Sequence, residues 1–383
     1  MKMKAAVLYE PNKPMVVETI ELEEPKEGEV LVRIVAAGVC YSDYHIMLGE
    51  WTHLLPVVLG HEGAGVVEQV GPGVSRLTPG QSVILNFRAN CGTCHYCIIG
   101  RPVLCNGVDA PRNTMFDGSS RLSKDGKTIH HFARTSCFAE YAVVPESGAV
   151  AIRADMPLDK ACLVGCSVMT GVGAVINTAK IEAGSSVAVI GCGGIGLNAV
   201  QGAALGGANQ IIAIDMLENK LDYARTFGAT DTINASTGDA VAQVMNLTGR
   251  GVDYAFEAIG NTQTIHQAYE MLAPGGTAVV VGMAPENDEV SINALSFPRT
   301  EKSIVGSWYG GARPWVDLPR ISDLYLNGKL KIDPMISRTY GLDEINTAYD
   351  ALAAGEVARS IIVFECPPAV IPRSKVLGAS RPD

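Results

Sequence analysis

The sequence has no block of lysines and arginines, no internal repeat and no low-complexity tract. Its start, MKMKAAVLYEPNKP, has no apolar core of the kind that precedes a secretory cleavage site. Each absence excludes something. With 40 Asp+Glu against 30 Lys+Arg, a formal charge of −10, and no basic cluster, there is no electrostatic grip on a phosphate backbone, and nucleic acid is not an expected partner. A start that runs straight into a strand pattern does not signal secretion, so a cytoplasmic location is expected. With 47% apolar and 18% charged residues the chain is neither disordered nor collagen-like, and 383 residues suggest about two or three domains with real cores. Small molecules are the default ligands.

One stretch, 185–214, lacks charge altogether and is long enough to raise the question of a membrane span. Its glycines, together with Asn198, Gln201, Asn209 and Gln210, break it into a strand-sized run, a glycine turn and a small-residue segment. That pattern reads as buried α/β interior, and no membrane partner is expected.

In VLVRIVA, Val30, Val32, Ile34 and Ala36 share one face at period two, and short strands with Gly/Pro punctuation continue to about residue 150, which predicts an all-β lobe. From about 185 the rhythm changes. SSVAVIG, QIIAID, VDYAFEAIG and TAVVVGM are apolar strands, with helical segments at 195–208, over LENKLDYARTFG and near 262–273. Alternation of this kind predicts a parallel sheet with crossover helices. After Trp308 the elements mix, and 339–364 reads as strand, helix and strand; the proline-rich tail 366–383 is expected to be peripheral.

Gly191, Cys192, Gly193, Gly194, Ile195 and Gly196 fit G-x-G-x-x-G. The string alone is weak evidence. Here it follows an apolar strand and opens a helix, and Asp215 ends the next strand about 20 residues on, which is the context of a dinucleotide site. A carboxylate at 215 would repel a 2′-phosphate, so NAD is expected rather than NADP. Lys220 either reaches the same ribose or is a solvated helix lysine.

Ten cysteines without an export signal suggest metal ligands or buried thiols more than disulfides. Cys91, Cys94, Cys97 and Cys105 form C-x2-C-x2-C-x7-C in a single polar loop. Four thiolates close a tetrahedral zinc site and leave no position open for chemistry, so this site would be structural. An iron–sulfur run shares the first two gaps, but its third is shorter and ends before proline, where Asn106 stands here. Cys40 at a strand end, His61 in LGHEG and Cys166 before the dinucleotide unit make a scattered second set. Two thiolates and an imidazole with an open fourth position describe catalytic zinc. Spacing alone does not establish the set, since Cys137 and Cys162 read as ordinary core thiols.

The segment GHEGAGVVEQVGPGV, residues 60–74, matches G-H-E-x2-G-x5-G-x2-V throughout. With GVCYSDYH before it and the four-cysteine loop and GCGGIG after it, the sequence resembles the zinc-containing alcohol dehydrogenases of the medium-chain superfamily over residues 1–365. The resemblance implies an α/β architecture: a β-rich GroES-like catalytic domain (1–167) with a structural zinc loop at 91–105, a Rossmann doubly wound parallel sheet binding NAD (168–307), and a C-terminal part (308–383) returning to the catalytic domain. MFDGSSRLSKDGKTIHHF resembles the longer loop of the liver-type, class I/III branch. A homodimer is implied, with a homotetramer as the alternative.

The resemblance further assigns two zinc ions per subunit, the catalytic one on Cys40, His61 and Cys166. It assigns a proton relay through Ser42 and His45, Asp43 as acceptor for the free nitrogen of His61, and Glu62 beside the metal. Thr170 and Val281 would press the nicotinamide toward the substrate, and Arg359 would meet the pyrophosphate. Without the match these are a turn serine, a surface histidine, surface carboxylates and an exposed arginine. Tyr41 stands where a cation often meets the phosphate. Trp51 and Phe87, with Leu54 or Trp308, would line an apolar channel or else belong to the core. Trp51 and Asp109 replace the acids and arginine expected for S-hydroxymethylglutathione, which is therefore not the expected substrate. The activity implied is NAD-dependent interconversion of medium, bulky or aromatic alcohols with aldehydes or ketones. The alternatives are a thiol-adduct formaldehyde dehydrogenase, a nicotinoprotein or dismutase, and a non-catalytic nucleotide-binding protein.

Overall fold

Three β units organise the chain in the structure, a computed structural model describing residues 1–355 and 358–365. The expectation for the tail 366–383 lies outside the described residues. Strands Lys2–Leu8, Val16–Leu22, Leu122–Lys124, Lys127–His131 and Val57–Val58 close a small barrel in that order. The segment read as a long loop therefore supplies two barrel strands. Asp125 and Gly126, both at positive φ (49° and 72°), make the two-residue turn whose twist suits a hairpin.

A seven-stranded sheet is built around Glu29–Val39. Its neighbours Glu62–Val70, Tyr141–Pro145 and Arg359–Val363 all pair with it antiparallel. Val30, Val32, Ile34 and Ala36 are fully buried, as period two requires. The lobe is not all-β, however. Directly after Cys40 the helix Tyr41–Met47 turns Asp43, Ile46 and Met47 inward, the i, i+3, i+4 spacing of a buried helix face.

The third unit is a six-stranded parallel sheet ordered Asp231–Asn234, Gln210–Asp215, Ser186–Ile190, Val252–Glu257, Leu272–Val280, Ser303–Gly306. Counted along the chain this is 3-2-1-4-5-6, the doubly wound order, whose direction reverses beside Ser186–Ile190 and opens a crevice at the carboxyl ends of the strands. The charge-free stretch becomes the central strand, the helix Gly194–Leu205 and the strand Gln210–Asp215, whose residues are mostly buried. A helical run over Leu158–Ala179 is long and apolar enough to cross a membrane, but 83% of its most apolar 18-residue window is buried within the fold. It widens to a π turn over Val164–Val168, a feature that often marks functional positions.

Candidate active site

Register builds the buried centre. Glu29–Val39 pairs with Glu62–Val70 so that Gly38 faces Glu62. Cys40 and His61, each one residue beyond its strand, therefore meet, and the π turn delivers Cys166 from the other side. Ligand atoms of Cys40, His61, Glu62 and Cys166 all lie within 4.8 Å of one another, and all four residues are buried. Asp43, fully buried on the short helix, holds Oδ2 3.0 Å from His61 Nδ1 and accepts from the Gly60 N–H through Oδ1 at 2.8 Å. With Nδ1 engaged, Nε2 is the nitrogen left for the centre.

The donor set is made for a cation. The hydrogen bond from Cys166 and the nearby His61 hold the Cys40 thiol well below its ordinary value despite burial, while Cys40 and burial push Cys166 well above its own. Burial pushes the Glu62 carboxyl up to about 8 with Arg359 pulling against it, and Glu62 Oε1 has no hydrogen-bond partner. Two thiol ligands and an imidazole of fixed tautomer fit zinc with a position left over. Asp43→Asn is expected to weaken zinc binding about 10–100-fold, measured by competition with a chromophoric chelator; unchanged affinity would show that the carboxylate does not support the ligand.

Ser42 Oγ is 3.8 Å from Cys40 Sγ. His45, three residues on, reaches the partly open surface and meets Glu50 with Nδ1 2.5 Å from Oε2. Trp51 stacks on the His45 ring at 4.5 Å. Phe87 does stand edge-on to His61 at 5.3 Å. Two aromatics that sequence reasoning missed complete the collar: Phe132, 5.5 Å from His61, and Tyr309, 4.2 Å from Phe87, whose hydroxyl donates to the Gly165 carbonyl at 2.6 Å. Phe132 ends the segment read as a loop, and nothing in the spacing of Tyr309 pointed inward. Leu54 and Trp308 are exposed, as is Asp109.

On the parallel sheet, Gly191 takes φ +91°, and a Cβ at Gly196 would stand 1.7 Å from the Gly191 carbonyl oxygen; both positions need glycine. A Cβ at Gly193 would meet nothing within 4 Å, so the turn is open where a pyrophosphate would approach the helix N-terminus. Ile195 packs partly into the core behind it. Asp215 accepts from the N–H groups of Cys192 (2.8 Å) and Leu217 (3.1 Å). Burial and Asp215 push the Cys192 thiol up to about 12, and the Lys220 ammonium acts against them, which places Lys220 on the same side. Thr170 and Val281 are both buried. Arg359 is buried rather than exposed. It ion-pairs with Glu62, and its Cδ would lie 2.5 Å from a Cβ on Gly194, so one guanidinium stands between the glycine turn and the thiolate centre. Tyr41 is exposed.

The other four cysteines converge independently. Their sulfurs stand 3.6 Å (Cys94–Cys97 and Cys91–Cys105) and 3.8 Å (Cys94–Cys105) apart. Thiolates at about 2.3 Å around a tetrahedral ion would be ~3.8 Å apart, so the loop has the dimensions of a closed zinc site. The backbone N–H groups of Cys91 and Cys94 point at sulfurs at 3.3 Å, as they do toward thiolates.

Family comparison agrees with this geometry. Residues 26–154 match the alcohol dehydrogenase GroES-like domain and residues 194–326 the zinc-binding dehydrogenase family. S-(hydroxymethyl)glutathione dehydrogenase of Paracoccus denitrificans is 42% identical over 376 residues, covering 95% of this chain and 100% of the relative. Among solved structures, an alcohol dehydrogenase zinc-binding domain protein from Burkholderia ambifaria superposes with a TM-score of 0.92 at 34% identity, covering 96% of this chain and 100% of its own. Benzyl alcohol dehydrogenase from Acinetobacter calcoaceticus superposes with 0.91 at 32% identity, covering 95% and 100%. A buried two-thiol, one-imidazole centre beside a dinucleotide crevice, a four-thiol loop and these likenesses lead to one conclusion: the chain belongs to the zinc-containing alcohol dehydrogenase family.

Proposed function

We propose that this oxidoreductase interconverts an alcohol and its aldehyde or ketone, with NAD as the hydride acceptor and zinc on Cys40, His61 and Cys166. The observation that carries the reading is that set of donors, buried together with Nδ1 of His61 already engaged by Asp43. When bound, zinc lowers the pKa of a substrate hydroxyl and NAD takes up the hydride. The chain's own residues do the rest. Phe87, Phe132 and Tyr309 exclude water and hold an apolar substrate body against the centre. Ser42 would take the hydroxyl proton as it gives up its own, and His45, partly exposed and paired with Glu50, would release it to solvent, with the cofactor ribose linking the two as the family resemblance implies. Asp215 holds the adenosine ribose, with Lys220 beside it; Gly191, Gly193, Gly194 and Gly196 admit the pyrophosphate; Thr170 and Val281 bear on the nicotinamide. Arg359 faces both the pyrophosphate and Glu62. Cys91, Cys94, Cys97 and Cys105 hold the second zinc.

The test is formation of NADH on adding benzyl alcohol and NAD to the purified protein, with chelation abolishing it. Nucleotide binding without alcohol-dependent reduction would overturn the reading. Asp215→Gly is expected to shift the NAD/NADP ratio of kcat/KM toward NADP by about tenfold or more, since it removes the carboxylate that repels a 2′-phosphate; an unchanged ratio would remove Asp215 from the ribose site. A thiol-adduct substrate is the second reading, favoured by the 42% identity to the Paracoccus enzyme. A homodimer accords with the edge strand Ser303–Gly306, whose outer side has no neighbour in its sheet among the described residues; the burial of the apolar helical run argues against its spanning a membrane, and a cytoplasmic location is part of the proposal.

A further inference from the structure

Glu257 ends the strand Val252–Glu257 at the point where the winding of the parallel sheet reverses. In register it faces Ile190 on one side and Val280 on the other, so it stands level with the residue before the glycine turn and with the residue before Val281. Its main-chain carbonyl accepts from the N–H groups of Val281 and Gly282 at 2.9 and 3.0 Å. The side chain is fully buried. Oε1 accepts from the N–H groups of Ile259 and Gly260, at 2.9 and 2.7 Å, and from the Thr264 hydroxyl at 2.8 Å, a reception suited to an ionised carboxylate. Oε2 has no hydrogen-bond partner. It lies against the residue that follows Val281, since a Cβ on Gly282 would stand 2.7 Å from it. No cation is among these partners. An anion buried among neutral donors keeps a negative potential around it, because water and salt screen it little.

The nicotinamide ring of NAD carries a positive charge when oxidised and none when reduced, so a fixed anion near it acts on one form only. We infer that the buried Glu257 carboxylate makes the crevice discriminate between the two oxidation states of the nucleotide, holding NAD+ more firmly relative to NADH than a neutral side chain of the same shape would. By linkage, the equilibrium between the two bound forms shifts toward NAD+ by the same factor. The inference rests on the reading that the crevice binds NAD with its nicotinamide against Val281. Its rival is a purely internal role, in which the carboxylate only ties the turn after the strand to Gly282; the two segments are so close that a Cβ on Gly282 would stand 2.1 Å from the Gly260 nitrogen. That role predicts equal losses of affinity for the two forms.

The test measures the dissociation constants of NAD+ and NADH, by calorimetry and by nucleotide fluorescence, on the zinc-loaded full chain in the absence of alcohol. Glu257→Gln keeps the shape and an oxygen for the three donors but removes the charge. It is expected to raise the ratio Kd(NAD+)/Kd(NADH) about tenfold. Glu257→Asp keeps the charge and should leave that ratio unchanged even where both affinities fall. Thr264→Lys brings an ammonium to the carboxylate and should move the ratio in the same direction as Gln, which keeps the question decidable if the Gln variant does not fold. Parallel losses of both nucleotides at a constant ratio, in Glu257→Gln or in Thr264→Lys, would overturn the proposal in favour of the internal role. So would a ratio that moves equally in the Gln and Asp variants. If both nucleotides bind but no alcohol is oxidised, the dehydrogenase reading fails and the ratio still decides; if neither binds the unaltered chain, both fail.

Discussion

Cys166→Ser is expected to lower kcat by about 10³-fold or more and to reduce the zinc content from two ions per chain to one. A Lewis acid at a developing alkoxide contributes several kcal/mol, and each 1.36 kcal/mol is tenfold in rate. Serine keeps the volume but loses the sulfur. Its hydroxyl does not ionise near neutrality, so the pair of soft anionic donors with Cys40 becomes one. The π turn over Val164–Val168 that carries Cys166 is packed by buried apolar residues on both sides and should survive the change. The glycine turn and Asp215 lie on the other sheet, so NAD binding, followed by fluorescence, should be largely retained and would separate lost chemistry from lost folding. A variant that keeps both its activity and two zinc ions would remove Cys166 from the centre.

Cys97→Ser acts on stability instead. The part of the loop that carries Cys91, Cys94 and Cys97 has little to hold it apart from the four sulfurs. The helix His95–Ile98 buries none of its residues and Ile98 and Ile99 are exposed; only towards Cys105 is the segment anchored, by Val103, which is buried in the core and whose carbonyl accepts from Arg88. A small unit of this kind owes its order to the ion, whose binding free energy in comparable peptides is ~10–16 kcal/mol. Losing one of four thiolates is expected to cost one zinc ion, to lower Tm by roughly 5–10 °C, and to make the loop the first site of proteolysis. A variant of unchanged stability with selectively lost turnover would contradict the structural assignment. EDTA should show the same order in reverse: turnover lost with one zinc, thermal stability with the other.

Some of this architecture is local and could be read residue by residue. The glycine turn works through short-range sterics: Gly196 meets Gly191 five residues away, and Asp215 lies one strand over in a parallel sheet whose spacing is regular. The four-cysteine loop closes within itself, so its gaps alone describe a tetrahedron. Other features escaped because their causes are distant. The helix Tyr41–Met47 was hidden inside a strand-rich stretch, since its buried face is only three residues and one of them is Asp43. The hairpin at Asp125 and Gly126 looked like a loop because its strands are short and belong to a barrel. Arg359, assigned to the pyrophosphate by resemblance and otherwise an exposed strand arginine, is buried against Glu62 by the pairing of its strand with Glu29–Val39.

By itself, then, the order of residues determined what depends on neighbours along the chain: a parallel-sheet unit, a dinucleotide turn, a closed zinc loop and the candidate donors for a second metal. Only the tertiary structure decided which distant side chains share a site. Cys40, His61 and Cys166 come from two strand ends and a helix. Their meeting follows from antiparallel register and a π turn, neither of which leaves a period in the sequence. The same holds for Phe132 and Tyr309, whose proximity is set by how the barrel, the sheet and the segment after Ser303–Gly306 pack together.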